Sequence, residues 1–161
     1  MNEAKFWEMI EAAWSEARPL IKERDEIASG TYSEDSLDEI FGALDEMTDA
    51  LRGQLEALGK ADLLEFDRIL ERKLYEIDRS EIQEFTDGSD DGFLYARGFI
   101  VALGKKYYDT VNADPSKAIM DAEWEDLCYL PFHLYEDQFG EMPESEITRE
   151  SASNPAGWKE E

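Results

Sequence analysis

The apolar residues in the middle of the chain recur at spacings of three and four. Ile40, Phe41, Leu44, Met47, Leu51, Leu55 and Leu58 form one such series; Leu63, Phe66, Ile69, Leu70, Leu74 and Ile77 form the next. That period lines one face of an α-helix and leaves the opposite face polar. No stretch shows the sustained alternation of a half-buried strand, and no internal repeat is present. The pattern therefore predicts an all-α, single-domain bundle of about five to six helices with no significant sheet. At 161 residues, 42% of them apolar, the chain is long enough to bury a core.

Punctuation sets the expected elements. A first helix runs over 2–18, capped by Asn2, with Phe6, Ile10, Ala13, Trp14 and Ala17 on one stripe. Pro19 permits a restart, and a short helical piece over 20–28 stops at Ser29-Gly30. Ser36 with Glu39, and Asp62 with Glu65, have capping-box spacing and predict the starts of two long helices, one reaching Gly59 and the other running on toward Ile82 and Phe85. A further helix is expected over 90–112, with Asp114-Pro115 as a new cap and first position. The last, over 124–139, should bend at Pro131. The helical domain is thus expected over 1–140, followed by an irregular C-terminal tail, 141–161, with Trp158 its one large anchor.

Charge is the outlying property: 40 Asp and Glu against 16 Lys and Arg give a formal net charge of -24. Such a surface repels nucleic-acid phosphates and anionic membranes and attracts basic proteins. The acids are unevenly placed: residues 25–51 and 118–148 contain no Lys or Arg at all. No apolar run approaches the ~18 residues of a membrane span. The acidic, amphipathic N-terminus differs from a secretion signal, and the single cysteine, Cys128, excludes an internal disulfide. A soluble, unexported, cytoplasmic protein is expected.

The stretch TDGSDDGFLYARG, 86–98, suggests a cation loop. Placing Gly92 at position 6 of the calcium-loop template puts Asp87, Ser89 and Asp91 in register, but position 12 falls on Gly98, where a bidentate Glu is needed. The competing reading is a helix start: Ser89 caps, and Asp90 and Asp91 meet the positive end of the helix dipole. Arg97 borders the inward face, four positions after Phe93, and is expected to be paired bidentately with a carboxylate. Asp87, Asp90, Asp91 and Arg97 are the candidate structural or partner-binding residues of this segment. His133 is the only histidine and lies about 140° from Cys128 on a helix, too far round for a dyad. No phosphate-binding glycine loop, dinucleotide fingerprint or nucleophile elbow is present, and no catalytic residue, metal or cofactor is expected. Trp7 and Trp14 sit seven apart on the first helix, where they either pack in the core or form an exposed aromatic strip for a basic partner.

Phe6-Trp7 with Ile10, the segment Phe66 to Leu70, and above all SDDGFLYARGFIVALGKKYYDTVNADPS over 89–116 resemble a family of small bacterial domains of unknown function. The shared pattern is a Phe-Trp opening helix, then S-D-D-x-F, Arg, an aromatic, Gly and a closing Asp-Pro. This chain departs from it with Gly98-Phe99 where the pattern carries Trp. The resemblance implies a helical bacterial domain and assigns no catalytic residue.

Together these features lead us to expect a non-enzymatic, acidic protein-binding module, an immunity-type or antitoxin-like inhibitor of a basic partner protein. One alternative is a DNA-mimic inhibitor of a nucleic-acid-binding protein. The other is an enzyme or small-ligand site around Asp90, Asp91 and Arg97.

Overall fold

A computed structural model describes residues 1–86 and 88–158. Asn2 accepts a hydrogen bond from the Lys5 amide at 2.9 Å and starts α1, Glu3–Ala17. The helix buries Phe6, Trp7, Met9, Ile10, Ala13 and Trp14. Leu20 takes a left-handed conformation, φ 42°, at the turn into α2, Ile21–Ser29, which Gly30 closes at φ 75°. The long α3, Glu34–Glu56, buries Ile40, Ala43, Leu44, Met47, Leu51 and Leu55. Then follow α4, Lys60–Glu76; the single turn α5, Ser80–Gln83; α6, Asp90–Ala102; α7, Lys105–Ala113; and α8, Leu130–Phe139. Short 3₁₀ turns at Pro115–Lys117 and Glu125–Leu127 link the last two helices.

The described residues are all helical or irregular, with no strand. Among the described residues the expected count of five to six helices is corrected to eight, because two expected continuous helices are each broken. α4 stops before Asp78, and Gly104 separates α6 from α7 at φ +101°. An added Cβ at Gly104 would lie 2.5 Å from Glu11 Oε1. The apolar period hides that break because Tyr107, Tyr108 and Val111 of α7 return to the same core. Pro131 does not bend the last helix; it sits at its start, where its missing N–H leaves no bond unmade. The caps also move. Ser33, not Ser36, starts α3 by accepting from the Ser36 amide at 3.1 Å, and α4 begins after Gly59 with no side-chain cap.

α1 packs on α3 and α4, α2 on α3 and α7, and α8 on α4 and α3. The end of α6 is held from a distance: Trp14 Nε1 donates to the Ala102 carbonyl at 2.7 Å, and Arg24 Nη1 donates to the Leu103 carbonyl at 3.3 Å. Arg24 also lies over the Trp14 ring, 5.0 Å from its centroid. Tyr135 is the last buried apolar core residue among those described, and Trp158 packs against the core from the tail. Residues 141–158 contain no helix, yet they return across the domain as a strap. Trp158 meets Phe93 edge-on at 6.0 Å.

Candidate functional site

Ser89 caps α6 by accepting from the Gly92 amide at 2.9 Å. Asp90 and Asp91 occupy the exposed first turn, where the dipole favours their charge. Asp87 lies outside the described residues. Among the described residues no group of three or more His, Cys, Asp and Glu side chains could hold a metal ion.

Arg97 is 0% exposed, and its partners differ from those expected. Nη1 donates to the Leu74 carbonyl at 2.8 Å and Nη2 to Ser151 Oγ at 3.1 Å, while the guanidinium lies 4.8 Å from the Phe93 ring centre. Among the described residues no carboxylate forms an ion pair with it, which corrects the expected bidentate pair. The guanidinium rests instead on the Leu74 carbonyl in the last turn of α4, at the negative end of the helix dipole, with the Asp78 carboxylate supplying the main opposing charge nearby. Burial pulls the Arg97 pKa below its ordinary value; the Asp78 carboxylate opposes that shift.

A buried bidentate arginine is instead Arg149, from the strap. It donates to Asp67 Oδ1 and Oδ2 at 3.1 and 3.0 Å, to Glu71 Oε2 at 2.8 and 3.1 Å, and to the Cys128 carbonyl at 2.8 Å. Asp67 and Glu71 stand one turn apart on α4, beside the Phe66, Leu70, Leu74 stripe. Burial pushes the Asp67 carboxyl above its usual range, against the pull of Arg149. Asp78, just past α4, is 0% exposed. Its carboxylate accepts the amides of Ala152, Ser153 and Asn154 at 3.0, 2.7 and 3.0 Å, and Trp158 Nε1 at 2.8 Å. Two buried polar atoms of this layer stay unmet, Glu71 Oε1 and Arg97 Nε.

The remaining sequence candidates sit elsewhere. Trp7 and Trp14 are 5% and 0% exposed, so no exposed aromatic strip forms. Trp7 borders a shallow cleft with Glu3, Glu8, Glu11 and Lys105, but Lys73 already engages Glu3, and Arg24 engages Glu11. His133 is exposed beside Tyr129 and Phe132. Cys128 is sealed in the core, where burial pushes its thiol up to about 12. Sequence reasoning missed Asp67, Glu71, Asp78 and Arg149. The legible signal was Asp67 with Glu71 at i, i+4 on the margin of an inward stripe, an arrangement that needs a cation.

The outer face of α3 is the other unusual surface. At about 100° per residue, Asp35, Asp38, Asp45, Glu46, Asp49 and Glu56 fall on one stripe about 100° wide and about 30 Å long. All are exposed, and among the described residues only Asp49 meets a cation, Arg52 at 4.0 Å. Gly42 and Gly53 lie within this stripe, and nothing stands within 4 Å of a Cβ added at either.

The chain belongs to the family described as protein of unknown function DUF4240, which it matches over residues 1–137. No curated protein and no solved structure matches it. Asp67, Glu71, Asp78 and Arg97 lie inside the matched span; Arg149, Ser151 and Trp158 lie beyond it.

Proposed function

We propose that this protein is a non-enzymatic acidic module of the bacterial cytoplasm, an immunity- or antitoxin-type inhibitor that docks a basic partner protein on the outer face of α3. The observation that carries this reading is the α3 stripe itself. Like charges one turn apart cost a helix about 0.2–0.5 kcal/mol per pair, and an exposed helical glycine costs about 1 kcal/mol relative to alanine. The stripe holds both, and the fold supplies one cation at its edge. A partner bearing Lys and Arg relieves the repulsion, and the glycines let its side chains approach the helix backbone closely. Steering by the net charge of -24 would speed the encounter, most strongly at low salt.

The test is capture from lysate on the immobilised protein at ~50 and ~200 mM salt, followed by identification of what is retained. A basic protein is expected, with less recovered at the higher salt and from the triple variant Asp38→Asn, Asp45→Asn, Asp49→Asn. Recovery independent of salt and of those substitutions would refute the reading. Release of the captured protein by duplex DNA would instead favour the DNA-mimic alternative, since only that one requires the partner to be a nucleic-acid-binding protein.

A further inference from the structure

We infer that the far part of the strap, residues 149–158, is a captured ligand: the family domain carries a groove that binds an extended, arginine-bearing peptide segment, and here the chain fills that groove in cis. The inference is independent of the α3 face.

The attachment is mostly polar, with Trp158 packed against the edge of the core at Phe93 and Arg149 lying over the Tyr129 ring. Among the described residues none beyond Tyr135 is a buried apolar member of the core, and of the strap only Trp158 packs against it. Every group that receives the strap lies on the domain, within the matched span 1–137. The receiving chemistry is that of peptide recognition. A carboxylate pair, Asp67 and Glu71, takes a guanidinium in a forked geometry. A third carboxylate, Asp78, collects three successive backbone N–H groups, the mirror of an anion seated in a backbone nest. Ser151 Oγ joins the two walls, donating to the Asp90 carbonyl at 2.6 Å while Arg97 donates to it. At the far end the Ser80 amide donates to the Gly157 carbonyl at 3.0 Å, and a Cβ at Gly157 would lie 2.5 Å from the Asp78 carbonyl oxygen.

Two features mark the strap as an occupant and not as an integral wall. Ala152 is held at φ 61°, a left-handed conformation that costs an alanine, to aim its neighbours' amides at Asp78. Glu71 Oε1 and Arg97 Nε, both buried, receive nothing from the strap. A segment of the same chemistry with one more donor and one more acceptor would satisfy the groove better. Tethering raises the strap's effective concentration to the millimolar range and so gates the groove against free segments.

The experiment keeps the whole chain and cuts it. A specific protease site is inserted in the exposed loop at Met142, the chain is cleaved after purification, and a fluorescein-labelled synthetic peptide of residues 147–161 is added. Anisotropy should show saturable exchange into the cleaved protein, with the helical circular dichroism retained. A peptide carrying Arg149→Ala should bind at least about tenfold more weakly, as loss of a central anchor does. The uncut protein should bind the labelled peptide at least about tenfold more weakly than the cut one. Loss of helicity on exchange, no exchange, equal binding of the Arg149→Ala peptide, or equal binding by cut and uncut protein would each overturn the inference.

Discussion

Gly42, Gly53 and Gly98 are helical glycines facing opposite environments, and replacing each by alanine should change stability with opposite sign. At Gly98 an added Cβ would lie 2.5 Å from the Trp124 carbonyl oxygen and 2.6 Å from Cys128 Sγ. Ordinary contact needs about 3.5 Å or more, so the two walls must separate by about 1 Å. The near wall is backbone and is tied to α6 itself, since the Trp124 amide donates to the Tyr95 carbonyl at 2.9 Å. Overpacking of this kind costs about 1–3 kcal/mol, against a gain of at most about 1 kcal/mol in helix propensity. Gly98→Ala should therefore lose about 1–2 kcal/mol, a fall in Tm of roughly 2–8 °C for a chain of this length. At Gly42 and Gly53 the Cβ meets nothing within 4 Å, and each alanine should gain about 0.5–1 kcal/mol. Urea unfolding followed by circular dichroism, with unchanged m-values, measures all three. A Gly98→Ala protein as stable as the parent would refute the close approach of α6 to residues 124–128. A destabilised Gly42→Ala would refute the open α3 face.

The Cys128 thiol, held up to about 12, should resist thiol reagents at pH 8 in the native protein and react on unfolding. Its folded pKa lies above the unfolded value of about 8.5, so its contribution to stability is complete below pH 8.5 and is lost as pH rises toward 12; flat stability across that window would contradict the burial. Ala152→Gly removes the left-handed strain at φ 61° and should slow hydrogen exchange of the 152–154 amides by about two- to fivefold, which amide exchange mass spectrometry reads. Raising NaCl from 10 to 150 mM shortens the Debye length from about 30 to 8 Å and should raise Tm, because a net charge of -24 opposes compaction; a fall in Tm would show that attractive pairs dominate instead.

The long helices were legible because their signal is local. The apolar period of α3 and α4 survives every competing choice, and Ser89 announces the start of α6 through its own side chain. What failed was whatever depends on a distant partner. The period over 90–112 gives no hint of the turn at Gly104, since both helices flanking it face one core. The sequence shows Arg97 as an inward cation, but its partners are the Leu74 carbonyl of α4 and a strap serine, 23 and 54 positions away. Arg149 was invisible for a different reason: it lies in an aperiodic segment, and its acids, Asp67 and Glu71, stand 82 and 78 positions earlier. Trp7 and Trp14 were seen as a pair, and only the packing of α1 on α3 and α4 decides that they face inward.

The side-chain closure of the α6 C-terminus bears on the order in which this chain assembles. The Ala102 and Leu103 carbonyls are met by Trp14 and Arg24, 88 and 79 positions upstream. Local helix formation in α6 can begin from Ser89, but its last turn gains these partners only when α1 and α2 have arrived. Closing so large a loop costs entropy before it returns contacts, which places the docking of α1 and α2 against α6 among the slower steps of folding.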